Sequence, residues 1–295
     1  MTLEQLRIFV AVAEREHMTE AARALHLTQS AVSDAVAALE ARHAVRLFDR
    51  VGRRIMLNDV GRAFLAEARG VLARAAAAEA ALDDLSALRR GRLVIQASQT
   101  IASYWLPKQL VGFRAAYPGI ALDLAIGNTR EVAQAVLEGT AELGFVEGEI
   151  GADALTVQSV GTDRLAVLVT PHHPWAGKRK ALSAAEIRSE PWVLREPGSG
   201  TRSSFEQALA AAGIDPAALT VSMTLPSNEA VLAAAEAGAG ATALSESVAA
   251  AALAGGRLVR APYRLPPRPF WLVRHRERYR SRPAKAFVAF ATAGA

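Results

Sequence analysis

Residues 19–40 read Thr19-Glu20-Ala21-Ala22-Arg23-Ala24-Leu25-His26-Leu27-Thr28-Gln29-Ser30-Ala31-Val32-Ser33-Asp34-Ala35-Val36-Ala37-Ala38-Leu39-Glu40, and a basic segment follows as far as Leu57. The spacing predicts a short amphipathic helix with Thr19 as N-cap, burying Ala21, Ala22 and Leu25. A break follows around His26 to Thr28. Thr28 then caps a second helix, Gln29 to about Arg42, which buries Val32, Val36 and Leu39 at spacings of four and three. Two short helices joined by a tight turn make a helix-turn-helix, and the second helix of such a pair fits the major groove of DNA. Its first exposed turns carry Gln29, Ser30, Ser33 and Asp34, short polar side chains that reach base edges without blocking approach. Arg42, Arg46, Arg50, Arg53 and Arg54 crowd around one acid, Asp49. Val51-Gly52 near the middle of this segment marks the turn of a β-hairpin wing. Arginines at its tip would meet phosphates or a narrow minor groove.

The flanks extend this reading. Upstream, Thr2 with Gln5 forms a capping box for a helix whose Leu3, Leu6, Phe9 and Val12 line one face. Downstream, Asn58 caps a helix that runs to about Arg89, with Asp59 in its first turn, where the helix dipole favours negative charge. Its apolar positions are Phe64, Ala68, Val71, Ala75, Ala78, Leu82 and Leu85. Steps of four and three alternate along them, the pattern of a coiled-coil seam, and its small alanines allow close approach. A proline-free helix of about thirty residues points to a partner helix. A dimer also places two recognition helices on one face of the duplex, which calls for a near-palindromic site.

Composition sets the outer limits. The chain has 295 residues, 51% of them hydrophobic, enough for two or three domains. There is no cysteine, which rules out disulfides, thiolate metal sites and thiol-based redox sensing. The sequence near Met1 lacks the charged and apolar regions of an export signal, and the apolar run Ala230 to Leu244 is too short and interrupted to span a membrane; the chain reads as cytoplasmic. The net charge is +5. That balance suits an anionic partner through a local field at the wing rather than a global one. A second basic stretch, Arg257 to Lys285, reads as solvated surface, the alternative being an auxiliary anion-binding patch. His172-His173 lacks acidic neighbours at ligand spacing, so neither a metal nor any other cofactor is expected.

After Arg89-Arg90-Gly91 the pattern changes to alternating strands and helices. Leu93-Val94-Ile95, Ile120 to Ile126 and Leu143 to Val146 read as strands. Ile101 to Tyr117 reads as mostly helix, with Pro107 near its true first turn. Such alternation predicts an open parallel sheet, with ligands beyond the strand C-terminal ends. Those ends are Ser98-Gln99-Thr100, Gly127-Asn128-Thr129 and Glu147. A second lobe begins near Leu165, and Arg257 to Leu265 returns toward the first, followed by a strand from Arg268 to Arg274. Two αβ lobes joined by two crossovers leave a cleft, where small molecules bind.

The string Leu3-x-x-Leu6-x-x-Phe9, then Thr19 to Leu27, Thr28 to Ser33, Ala38-Leu39-Glu40 and Leu47-Phe48-x-Arg50 closely resembles the N-terminus of LysR-type transcriptional regulators. From Arg92 onward, Thr170-Pro171-x-His173-Pro174 resembles the effector domain of the same family. Ala97 to Ile101, Gly127-Asn128-Thr129, Val146-Glu147-Gly148 and Arg195 to Arg202 look like its CysL-like branch. The resemblance implies a mainly-α winged helix-turn-helix over 1–58, a linker and dimerisation helix over 59–90, and a two-lobed α/β effector domain of the type 2 periplasmic-binding-protein fold over 91–295. Lobe I would take 92–161 and 268–295, and lobe II 162–267. Thr28, Gln29, Ser30, Ser33, Asp34, Arg50, Arg53 and Arg54 would face double-stranded DNA, dimers would pair into tetramers, and RNA polymerase is a further candidate partner. One departure concerns Asp34, where many members carry a basic or small residue. A carboxylate there can accept from cytosine N4 but repels phosphate.

In the cleft, Pro197-Gly198-Ser199-Gly200-Thr201 precedes a helix. Free N–H groups and hydroxyls at a helix start suit an anion such as carboxylate or sulfate. Ser98, Gln99 and Thr100, with Asn128 and Thr129, would face Ser199, Gly200 and Thr201, and Arg195 or Arg202 could supply charge. Glu147 and Glu196 instead suit an amino group, or a salt bridge to Arg195. The CysL-like features imply a link to sulfur metabolism. A two-lobed solute-binding protein and an effector-independent repressor are the alternatives. An enzyme is not expected, since no catalytic motif falls on the strand ends and Pro197 breaks the nucleophile-elbow pattern around Ser199. If the helical seam mediates dimerisation, Ala75→Glu or Ala78→Glu will halve the molecular mass measured by light scattering; an unchanged mass refutes the seam.

Overall fold

The computed structural model describes residues 1–51, 54–83, 91–148, 150, 151 and 153–292. They form two compact units, Met1–Ser86 with Glu138–Thr140, and Ala87–Leu137 with Ala141–Ala295.

The first unit contains α1 (Leu3–Arg15), α2 (Met18–Leu25), α3 (Gln29–His43), the hairpin β1 (Phe48–Val51) and β2 (Arg54–Leu57), and α4 (Asp59–Asp83). The Thr2–Gln5 capping box is formed in both directions. The N-cap of α2 is His17 rather than Thr19. Its Nδ1 accepts from Glu20 N at 3.3 Å, so the helix starts earlier and lets Met18 pack on the core. Thr28 caps α3 by accepting from Ala31 N, and Asn58 caps α4 by accepting from Gly61 N. Phe9, Val12, Ala21, Val32, Val36 and Leu39 close the core.

Phe64 and Ala68 also belong to this core. Ala68 is 1% exposed, and the Phe64 ring lies 4.9 Å from that of Phe9. Burial of these residues inside their own domain takes the first two positions off any free helical seam. Val71, at 42% exposure, and Ala78 remain open, and Ala75 is half-buried. Leu82 lies on α4, and Leu85 is outside the described residues.

The second unit runs β3 (Gly91–Ser98), α5 (Leu106–Ala116), β4 (Ile120–Gly127), α6 (Thr129–Glu138), β5 (Leu143–Glu147) and β6 (Leu155–Val169). Then come α7 (Ala184–Ser189), β7 (Pro191–Arg195), α8 (Gly200–Ala211), β8 (Thr220–Leu225), α9 (Asn228–Glu236), β9 (Thr242–Ser245), α10 (Glu246–Ala254), β10 (Val259–His275) and α11 (Arg282–Thr292). A π turn over Ile101–Trp105 leads into α5, so Pro107 does sit in the first α-helical turn.

The main sheet has the order β4-β3-β5-β10-β6-β9. β3 pairs in parallel with β4 and β5, β10 pairs antiparallel with both β5 and β6, and β9 pairs antiparallel with β6, so the sheet is mixed. The expected strand Arg268 to Arg274 is longer: with most of the returning segment before it, it forms one strand, β10. Its register against β6 shifts between Arg260 and Arg264 and between Arg264 and Pro267. Pro262 falls within the first shift and Pro266 within the second; a proline donates no backbone hydrogen bond, so the ladder slips there without ending. β6 and β10 therefore run through both lobes. Lobe I packs around Leu93, Phe113, Phe145 and Phe287, and lobe II around Trp175, Trp192, Phe205 and Leu209. No described helix is long and apolar enough to cross a membrane.

Gly200 begins α8 where a side chain has no space. A Cβ there would lie 1.9 Å from the Glu147 carbonyl oxygen and 2.5 Å from Thr129 Oγ1. Gly200→Ala should destabilise the effector domain by about 1–3 kcal/mol or more. A calorimetric scan should show its midpoint lowered by ~2–4 °C per kcal/mol, with the first unit unaffected.

Candidate DNA-binding surface and effector cleft

α3 presents one face to the core and another to solvent. Thr28, Gln29, Ser30 and Asp34 are exposed and Ser33 is half-buried. The Thr28 and Ser30 hydroxyls lie 3.1 Å apart. The side chains of Gln29, Ser33 and Asp34 have no hydrogen-bond partner among the described residues and are free to take one outside the chain. The helix start also leaves N–H groups open to a phosphate. The backbones of Arg50 and Arg54 lie on β1 and β2, and Arg53 is outside the described residues.

In the second unit, buried polar groups collect where the lobes meet. Ser98, Thr100, Thr129, Glu147, Asp163, Arg195, Ser199, Thr201, Asn228 and Arg268 are all buried. Asn228 is the junction. Its Nδ2 donates to Thr100 Oγ1 at 3.1 Å, its Oδ1 accepts from Arg195 Nη1 at 2.5 Å, and its N–H donates to Gln99 Oε1 at 2.7 Å. Gln99 Nε2 also donates to Glu229 Oε2. Residues from lobe I thus grip the start of α9 in lobe II. Burial pushes the Tyr104 phenol above its ordinary pKa, and the Glu229 charge adds to that.

Arg268 is the second junction. Its Nε and Nη2 donate to Asp163 Oδ2 at 2.9 and 2.7 Å, and its Nη1 donates to Thr201 Oγ1 at 3.2 Å. Its Nη2 is 3.8 Å from Glu147 Oε1, an ion pair by distance but without a hydrogen bond. Glu147 Oε1 and the Ser98 hydroxyl are both buried with no hydrogen-bond partner among the described residues. Unpaired buried polar atoms of this kind cost about 1–3 kcal/mol each. The fold holds both at the C-terminal ends of adjacent strands, β3 and β5.

The remaining candidates are already engaged. Thr129 Oγ1 donates to the Glu147 carbonyl oxygen at 2.6 Å. Asn128 Oδ1 accepts from Glu131 N, and Glu131 accepts from Asn128 N. Ser199 Oγ caps α8 with a long hydrogen bond from Arg202 N. Arg195 is held by Glu196 and Asn228, and Arg202 by Glu206. The free cationic charge expected from Arg195 or Arg202 is thus committed to carboxylates. A cavity of about 510 Å³, lined by Thr129, Arg130, Pro197, Gly198, Arg202 and Glu206 among others, opens beside this cluster.

Sequence reasoning misses Arg268, Asp163 and Asn228. Arg268 carries a signal nonetheless: it shares one strand face with Phe270 and Leu272, both buried, so period two points it inward.

The comparisons agree with this architecture. Residues 3–62 match the model of bacterial regulatory helix-turn-helix proteins of the LysR family. Residues 86–295 match the LysR substrate binding domain. The chain belongs to the LysR family of transcriptional regulators. YeiE of Escherichia coli K12, an uncharacterised regulator, is 33% identical over 98% of this chain and 97% of its own length. A probable RuBisCO transcriptional regulator of Trichormus variabilis is 34% identical over 97% of the chain and 86% of its own. CysL of Bacillus subtilis is 32% identical over 84% of the chain and 82% of its own. Among solved structures, full-length CbnR complexed with its target DNA has a TM-score of 0.70 at 25% identity and full coverage of both chains. These relatives and folds are transcriptional regulators and not enzymes, and this LysR-type chain is a DNA-binding regulator with an effector-binding domain.

If Gln29 reads a base edge, Gln29→Ala will cost roughly 1–3 kcal/mol on the cognate operator and relax sequence preference. Titrations against the operator and random DNA separate the roles, since an equal loss on both would exclude base readout.

Proposed function

We propose that this LysR-family regulator binds a near-palindromic operator as a dimer of dimers, and that a small anionic metabolite held between its lobes modulates that binding. Residues 1–58 would read DNA, 59–90 pair the chains and 91–295 take the effector. The dimer would use the remaining positions of the expected seam, Val71, Ala75, Ala78, Leu82 and Leu85, and RNA polymerase would be a downstream partner. Cytoplasmic placement belongs to the same reading, since that is where the operator is.

The observation that carries the cleft reading is the pair of orphaned buried groups, the Ser98 hydroxyl and Glu147 Oε1. They stand beside the hydroxyls of Thr100 and Thr201 and the start of α8. Hydroxyls and helix N–H groups favour an anionic oxygen. Glu147 accepts only, so the ligand would also present a hydrogen-bond donor, an amino group or a protonated oxygen. The neighbouring cavity admits a metabolite-sized ligand. A ligand shifts DNA binding only as far as it favours one lobe arrangement over another.

The likeness to CysL supports a link to sulfur metabolism, and the similar likeness to a RuBisCO regulator supports carbon fixation equally well, so the ligand's chemistry is the deciding measurement. A second reading, an effector-independent repressor, draws on the Gln99–Asn228, Gln99–Glu229 and Thr100–Asn228 bonds, which join the lobes through the protein's own side chains.

A thermal-shift screen of sulfate, sulfite, phosphate and small carboxylates distinguishes the two. A ligand at about 100 times its Kd should stabilise the effector domain by ~2.7 kcal/mol. Thr100→Ala and Thr201→Ala should abolish the shift. No shift with any anion would leave the effector-independent reading, and shifts retained in both variants would place the ligand away from Thr100 and Thr201.

A further inference from the structure

The wing stands on two glutamates that no base-reading or phosphate-binding role accounts for. At one foot, Glu40 Oε1 from α3 accepts from Leu47 N at 2.7 Å and from Phe48 N at 3.3 Å. At the other, Glu16 Oε1 accepts from Leu57 N at 2.9 Å. Phe48 and Leu57 are the paired residues that close the base of the hairpin. Each strand is therefore tied by a carboxylate to a different helix, β1 to α3 and β2 to the end of α1. Hydrogen bonds from N–H to a carboxylate are among the stronger ones available to a backbone.

Glu16 holds its position at a cost. It is the C-cap of α1 with φ 48° and ψ 32°, the left-handed region that glycine occupies without penalty and that burdens any residue with a Cβ. Helices commonly end on glycine for this reason. A glutamate at this position gives up that relief, and the group it gains is the carboxylate that meets Leu57. The chain also resumes α4 directly from the wing. Asn58 N donates to the Leu47 carbonyl oxygen at 3.1 Å, and Asn58 Nδ2 donates to that of Arg46 at 3.1 Å.

We infer that Glu16 and Glu40 are positioning residues for DNA binding: their carboxylates fix the two feet of the wing relative to α3, so that the wing's arginines meet phosphate while α3 occupies the groove. This rests on the reading in which the wing touches the DNA backbone. Removing a negative charge near DNA would by itself tighten binding. A positioning role makes the opposite demand, and the two are separable.

The test uses the full-length protein and a fixed operator fragment, with affinity measured from low to high salt. Glu16→Gly should keep or raise the melting temperature of the N-terminal domain, because it removes the left-handed penalty. It should nevertheless weaken operator binding and flatten the salt dependence, by about 0.9 log unit for each phosphate the wing ceases to neutralise. Glu16→Gln loses the same charge but keeps an acceptor, and should restore the slope. Amide exchange at Leu57 should quicken in the glycine variant and not in the glutamine one. Glu40→Ala and Glu40→Gln should repeat the contrast at Leu47. Wild-type affinity and slope in Glu16→Gly would overturn the proposal, as would a melting temperature that falls in step with affinity. Arg53→Ala, run in parallel, reports on the wing itself. If it leaves the slope unchanged, the wing reading fails and the clamp falls with it; if it alone flattens the slope, only the clamp fails.

Discussion

The buried ion pair between Arg268 and Asp163 ties together the two strands on which both lobes are built. Neither residue is more than 6% exposed. Two charges removed from water lose several kcal/mol of hydration each, and the loss is offset only when the pairing geometry is good and the remaining donors and acceptors are used. Here Arg268 gives two hydrogen bonds to one carboxylate oxygen and a third to Thr201. Asp163 spends its other oxygen on the Ser245 hydroxyl at 2.7 Å. β10, β6, β9 and α8 are thereby joined through a single guanidinium. The polar cluster of the cleft is organised around that fixed charge, and Glu147 sits close enough to sense it without bonding to it.

How much of this is legible in the sequence depends on range. Local devices are readable because the side chain and the backbone it satisfies lie three residues apart. Thr2 with Gln5, Thr28 and Asn58 all cap as their spacing implies. His17 escapes notice because an imidazole nitrogen is an unusual cap and Thr19 fits the common preference better. The antiparallel return of β10 is hidden because alternation of strands and helices leaves strand direction open once a long crossover intervenes. Arg268 and Asp163 are 105 residues apart, and nothing in either local pattern names the other.

The same contrast separates the two functional regions. The recognition helix is legible because its exposed face is what remains once Val32, Val36 and Leu39 are buried. The cleft is less so: the loops at its edges are visible, but the arginines flanking them, Arg195 and Arg202, are spent on neighbouring glutamates. A basic residue in a loop is an available charge only if no acid lies within reach, and the sequence does not report that distance. The seam of α4 fails in part for a related reason. Phe64 and Ala68 fit a heptad and also fit the face that covers α1, and the core of the N-terminal domain claims them.

The passage of β6 and β10 through both lobes has a mechanical meaning. Lobes joined by slack loops swing freely, whereas lobes sharing two hydrogen-bonded ribbons move only by flexing them. The proline-bearing stretch of β10, where rungs are missing, is the compliant part of that ribbon. Such a joint acts as a leaf spring: deflection raises elastic energy from the first degree, and the domain returns to its resting angle when the load is removed. Any change in the angle between the lobes would have to be made against that stiffness.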